Sequence, residues 1–313
     1  MPKGRSLTAS ALLQTPGGEP RAAWRLAAFG IAIAVASLAV GGALLPLATA
    51  TPLARLARDV RLPLDQVSSV FALVIATWLT GRLVHRHGWP TWTETGLGRA
   101  AWRPAPVGAA FAAGLGVVLV PAAVLLVTGG ARFEAATAAD SPAFVTWSAA
   151  ALLVPAALAE ELLFRGYAFS ACLQGVGRAG AVAMTSVAFG LAHLFNPGPT
   201  AVSIAGVMCA GAFLAVVRLT TGSLVAASAA HFGVNFAQAA VLHAPVSGLA
   251  LQTPGYRYVP TGPAWLTGGS WGPEAGVVTV AGFAAATFLY VQRWRRAGDR
   301  APAARGSTNR NSE

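Results

Sequence analysis

About eight apolar runs, each near the ~20 residues that a helix needs to cross a bilayer, dominate this 313-residue chain and restrict what it can fold into. They fall at about 24–47, 66–84, 106–128, 144–169, 179–195, 200–218, 223–242 and 275–293. No water satisfies the backbone inside hydrocarbon, so runs of this length cross as helices. The expected fold is all-α, a polytopic membrane bundle of about eight transmembrane helices. Charged residues are only 11% of the chain, whereas a soluble domain carries ~25%, and this excludes an ordinary soluble enzyme.

The net charge of +11 invites a nucleic-acid reading, but the arginines lie between apolar runs and in the tails. Topology explains them better, and no nucleic-acid partner is expected. An even number of crossings puts both termini on one side. Lys3, Arg5, Arg21 and Arg25 begin the chain, and Arg293, Arg295, Arg296, Arg300, Arg305 and Arg310 end it. Arg82, Arg86, Arg99, Arg103, Arg178 and Arg218 fall on that same side, against Arg55, Arg58, Arg61, Arg132 and Arg257 on the other. The positive-inside rule therefore puts both termini in the cytoplasm. Ala48-Thr49-Ala50 looks like a signal-peptidase site, but the apolar run before it is too long for a signal peptide, so it reads as a signal anchor. Cys172 and Cys209 lack zinc or disulfide spacing and read as small buried hydrophobes. The Ala, Gly and Arg bias points to a bacterial inner (plasma) membrane.

Glu160 and Glu161 are the acidic residues inside these apolar runs. An ionised carboxylate near the bilayer centre costs at least ~2.5–3.5 kcal/mol, so it is kept where it pairs, lines a cavity or does chemistry. Adjacent helical residues point ~100° apart, which gives the two carboxylates different surroundings. Glu161 and Arg165, at i and i+4, can pair on one face. Glu160 faces elsewhere. Two further constellations have helical spacing: Phe189-Gly190-Leu191-Ala192-His193, where Phe189 can buttress His193, and His231-Phe232-Gly233-Val234-Asn235, where an imidazole and a carboxamide share a face. Each alone also fits a helix-to-helix hydrogen bond.

Jointly, Glu160–Arg165, Phe189–His193 and His231–Asn235 resemble, in order and spacing, the EExxxR, FxxxH and HxxxN motifs of the CPBP intramembrane proteases, also called the CAAX prenyl protease type II or Abi family. The flanking Phe164-Arg165-Gly166-Tyr167, Ala192-His193-Leu194 and Thr221-Gly222-Ser223-Leu224 fit the same pattern. The resemblance covers about residues 144–242. It implies a catalytic core at 143–243, between N-terminal transmembrane helices at 22–142 and an external loop with the last transmembrane helix at 244–296. Residues 1–21 and 297–313 read as mobile cytoplasmic tails. The external segment from Leu242 to Glu274, with Tyr256, Tyr258, Trp265 and Trp271, is expected to pack as an irregular loop or cap with an aromatic belt.

Peptide hydrolysis needs a base for water, a group that holds the water, and donors for the oxyanion. Glu160 is the expected general base and His193 its partner on the water. His231 and Asn235 are the expected oxyanion donors. Glu161, Arg165 and Phe189 support them from behind. No cofactor is favoured, but Glu160, His193 and His231 could instead ligate a catalytic zinc. An HExxH helix is absent, which weighs toward the metal-free form. His85 and His87 read as interfacial anchors among arginines, and His243 is assigned no role. The expected partners are the lipid bilayer and a membrane-anchored or prenylated protein or peptide substrate. A non-catalytic scaffold or immunity protein would use the same residues structurally. A proton-relay transporter would show repeat-related polar sites, and the two halves share no motif.

Depth poses a problem. At 1.5 Å per residue, Glu160 and His231 lie ~14 and ~12 Å from the cytoplasmic ends of their spans, and His193 ~21 Å. A fifth span starting before Gly177, or a tilt, would reconcile them.

Overall fold

The structure, a computed structural model, describes residues 13–15, 18, 20–50, 63–85, 92–137, 141–251 and 255–300, without the side chains of 44–50 and 297–300. Lys3, Arg5, Arg55, Arg58, Arg61, Arg86, His87, Arg305 and Arg310 lie outside the described residues, as do most of the expected N-terminal tail and residues 301–313. The described chain is a helical bundle. Its long helices are α1 (Ala22–Ala50), α2 (Leu64–Val84), α3 (Pro104–Val127), α4 (Pro142–Glu161), α5 (Tyr167–Ala192), α6 (Ala201–Thr221) and α7 (Leu224–Phe236). A short α8 (Ala264–Thr267) precedes the long α9 (Val277–Arg300).

Among the described residues, six helical stretches are long and apolar enough to cross a membrane. The fourth of these runs 54 residues, Pro142–Phe195, and carries two of the expected spans as one helical path. It turns at Gly177, whose φ of 74° is closed to most side chains. The last expected span corresponds to α9, which is not among the six. Ile31, Val35, Leu38, Phe71, Ile75, Trp78, Val120 and Val124 are exposed, an apolar exterior suited to lipid. The protein is thus an integral membrane protein.

Local chemistry sets the helix ends around the site. Ser141 caps α4, its Oγ accepting from Phe144 N (3.3 Å), with Pro142 at the first helical position where its missing N–H costs nothing. Thr200 and Ser203 form a reciprocal capping box on α6. The Thr221-Gly222-Ser223-Leu224 motif is a tight turn between helices. Gly222 ends α6 in the left-handed region (φ 69°), and Ser223 Oγ accepts from Ala226 N (2.9 Å) to start α7. The Ser223 hydroxyl also donates to Ala101 O (2.7 Å) and ties this turn to the segment before α3.

α7 is the centre of the bundle. It packs on α3 so closely that a Cβ at Gly114 would lie 2.0 Å from Ala230 O, and one at Gly233 would lie 2.5 Å from Phe111 O. The main core cluster joins these helices to α6 and α9 through Val118, Phe213, Leu214, Ala230 and Phe283. α1 and α2 pack together and reach α5 at Tyr167 and Ala171. His85 Nε2 lies 3.2 Å from the Tyr167 hydroxyl, which places it against the bundle rather than as a bare interfacial anchor.

Two expectations are corrected here. Cys172 is buried, but Cys209 is exposed on the outer face of α6, where an apolar thiol can meet lipid as readily as core. The segment after Leu242 is more regular than a loop: β2 (Tyr256–Pro260) pairs antiparallel with β1 (Ala131–Ala135), in register Phe133 to Tyr258. Backbone pairing there satisfies groups that an irregular cap would leave to solvent. Tyr258 and Trp271 are buried rather than placed in a belt, whereas Tyr256 and Trp265 are exposed.

Candidate active site

The site forms where α4, the end of α5 and α7 meet. α4 ends at Glu161, and the next turn, Leu162–Gly166, widens into a π-helical turn before α5 continues the path. Such wide turns recur at functional sites because they re-aim side chains without ending the helix. Glu161 and Arg165 are both fully buried, and Arg165 Nη1 donates to Glu161 Oε1 at 3.0 Å. Arg165 Nη2 donates to Gly211 O (2.8 Å), locking the turn to α6. The i,i+4 pair expected from sequence is therefore present.

The imidazole of His231 stands between the two adjacent glutamates. Its Nδ1 donates to Glu161 Oε1 at 3.0 Å, and its Nε2 lies 3.8 Å from Glu160 Oε2. The ~100° between successive helical residues thus places one carboxylate on each ring nitrogen. Spacing alone did not reveal this bridge, because Glu161 seemed fully used by Arg165. Glu160 is 36% exposed and opens onto a cavity of about 380 Å³, while its Oε2 is buried without a hydrogen-bond partner.

His193 follows the last residue of α5. Its Nδ1 lies 2.8 Å from Phe189 O, and because a carbonyl only accepts, Nδ1 carries the proton and Nε2 holds the lone pair. Phe189 also packs its ring 4.7 Å from His193 and 5.7 Å from His231, with the Arg165 guanidinium 4.4 Å from its centroid. One aromatic residue therefore buttresses both histidines and the arginine. Asn235, half-buried, faces the same cavity as Glu160, His193 and His231. The three motifs converge on one opening.

The depth conflict resolves at Gly177. Glu160 stands seventeen residues before that turn and His193 sixteen after it, so at ~1.5 Å per residue the two rise to the same level on the arms of a hairpin. The turn sits well past the residues taken as the end of the fourth span, so α4 and α5 share one long arm. Arg218 Nε donates to Arg165 O (3.2 Å), which registers the shorter α6–α7 turn part-way along that arm.

Residues 142–237 match the family model described as type II CAAX prenyl endopeptidase, Rce1-like. This stretch belongs to that family. All three motifs of the endopeptidase domain lie inside it, and membership implies a protease acting in a membrane. No curated protein and no solved structure matches the chain.

Four residues of the site escaped the sequence. Asn196 and Ser247 line the same 380 Å³ cavity, and behind them Gln238 and Glu274 are buried. Glu274 had one signal, an acid set among Trp271, Gly272, Pro273 and Gly276 at the edge of an apolar run. Among the described residues, no three His, Cys, Asp or Glu side chains meet as a metal-ligand group. The alternative zinc trio of Glu160, His193 and His231 lines the one cavity without forming such a group.

Proposed function

We propose that the protein is an intramembrane endopeptidase that hydrolyses a peptide bond in a membrane-anchored or prenylated protein or peptide. The observation that carries this reading is the convergence of Glu160, His193, His231 and Asn235 on one 380 Å³ cavity within an endopeptidase-family domain. Glu160 takes a proton from water on the side of its carboxylate that opens onto the cavity, and the lone pair on His193 Nε2 holds that water in line. Attack on the carbonyl carbon makes a tetrahedral oxyanion. Asn235 Nδ2 and a protonated His231 Nε2 donate to it, while Glu161 fixes the His231 ring through Nδ1. Glu160 then returns its proton to the leaving amine, which restores the carboxylate.

Arg165 neutralises Glu161, so the ring is oriented by a carboxylate that is itself paired. Charge asymmetry supports both termini in the cytoplasm, and the Ala, Gly and Arg bias supports a bacterial inner membrane. The Arg178 guanidinium lies 4.9 Å from the ring of Trp294, which brings the Gly177 turn to the C-terminal end of α9.

The test is processing of co-expressed membrane-anchored proteins by wild type and Glu160→Gln, read by mass spectrometry of their termini with and without a chelator. Loss of a defined cleavage in the variant is expected, with persistence under chelator. Loss under chelator alone would replace the water-activating glutamate with zinc chemistry. Identical termini, with a folded variant and cleavable probes present, would favour the scaffold reading.

A further inference from the structure

Glu274 lies outside the family domain, in a single turn (Pro273–Ala275) just before α9, and is 3% exposed. A buried carboxylate must be met by donors. Its Oε1 accepts from Ser247 N (2.7 Å) and Ser247 Oγ (2.6 Å), and its Oε2 accepts from Gln238 Nε2. Gln238 is fully buried and sits three residues beyond Asn235, in the π-helical turn Ala237–Leu242. Ser247 is held in the left-handed region at φ 48°, unusual for a residue other than glycine. Its carbonyl accepts from Asn196 Nδ2 at 2.9 Å, and Asn196 follows His193 by three residues. Trp271 O accepts from Gly248 N (2.8 Å), and Val246 and Leu249 bridge across the turn. The strained turn therefore has a grip on each flank.

We infer that Glu274 is a positioning residue for the candidate site: it latches the 246–249 turn as a wall of the cavity and ties that wall to the chain segments following both Asn235 and His193. The inference rests on the endopeptidase reading for its consequence and on geometry for the latch itself. The carboxylate touches no reacting atom. It works through Ser247 and Gln238, which fix the separation of the oxyanion donor from the water-holding imidazole and keep Asn196 and Ser247 lining the cavity. A loosened wall misplaces these groups, and misplacement by ~1 Å is enough to cost ~100-fold in rate.

The experiment compares full-length wild type, Glu274→Ala, Glu274→Gln and Glu160→Gln in lipid nanodiscs. One arm follows amide hydrogen exchange at Ser247 and Gly248. The other measures kcat and KM per folded molecule on a fluorescent farnesylated CaaX peptide and on an unprenylated membrane-anchored peptide. Glu274→Ala is expected to speed exchange at Ser247 about tenfold and to lower kcat ~10- to 100-fold, with a smaller change in KM. Glu274→Gln should recover most of both. The new amide oxygen still accepts both Ser247 donors, and the Gln238 amide, whose Oε1 has no partner, can turn over to accept from the new Nε2. Should Glu274→Ala not fold, Ser247→Ala removes only the hydroxyl donor and should move kcat the same way by less.

Unchanged exchange and kcat in Glu274→Ala, or equal impairment of the Gln and Ala variants, overturns the latch. A role confined to stability would lower the folded yield and leave kcat per folded molecule intact, which also overturns it. Cleavage of neither peptide by wild type would count against the endopeptidase reading, while the exchange arm still decides the latch.

Discussion

Replacing Arg165 with Met removes one half of a fully buried ion pair and leaves the other half charged. The Arg165 side chain has no solvent exposure, and it contacts Glu161 Oε1 (3.0 Å), Gly211 O (2.8 Å) and the face of Phe189 (4.4 Å). Breaking a buried pair in this way costs ~3–5 kcal/mol, mostly as the penalty of the stranded carboxylate. Replacing Glu161 with Leu strands the guanidinium instead and should cost about as much. The double variant Glu161→Leu/Arg165→Met strands neither charge. It still leaves the Nδ1–H of His231 without its acceptor, which costs ~1–3 kcal/mol. The two single costs therefore overshoot the double, with a coupling of at least ~2 kcal/mol. Denaturant titrations of all four proteins in one mixed-micelle composition measure it. Function should diverge from stability: the double variant folds, yet cleaves no better than either single variant, because nothing orients His231. A coupling under ~0.5 kcal/mol, or a double variant as active as wild type, would refute the argument that Glu161 serves Arg165 and His231 together.

Two other outcomes follow from the fold. Gly233→Ala should destabilise by ~1–3 kcal/mol, toward the upper end, because the added methyl meets backbone of α3, 2.5 Å from Phe111 O, and cannot be accommodated by a rotamer change. Gly108→Ala, with nothing within 4 Å, should be neutral or stabilising by ~0.5–1 kcal/mol in the same titration. Burial raises the Tyr258 phenol from an ordinary 10 to about 12, so its contribution to stability is intact below pH 10 and is lost as pH rises toward 12. Tyr258→Phe should flatten that alkaline loss and cost little at neutral pH, since the buried hydroxyl has no hydrogen-bond partner; equal alkaline midpoints by thermal unfolding would contradict it.

The residues that converge at the candidate site were legible because membrane burial makes polar residues rare and therefore informative. Glu160, Glu161, His193, His231 and Asn235 stood out against apolar neighbours, and the i,i+4 geometry of Glu161 with Arg165 is a local property of any helix. Helix caps at Ser141, Thr200 and Ser223 are local in the same way. The wall of the site was not legible. Ser247 and Glu274 are polar residues in a Gly- and Pro-rich segment, where polarity carries no surprise; Gln238, inside the apolar run 223–242, did carry a signal, but its meeting with Glu274 depends on how that segment folds back over α7.

From the sequence alone came the apolar helices, the polar motifs on them and the sidedness suggested by arginine, because each depends on residue spacing and on the solvent a side chain must face. Tertiary structure decided the rest. It placed both glutamates on one imidazole, levelled His193 with Glu160 about the Gly177 turn, and joined Ser247 in the cavity lining to a carboxylate far along the chain. These are contacts between elements, set by how helices pack at close glycine-lined crossings, and no local periodicity encodes which face meets which.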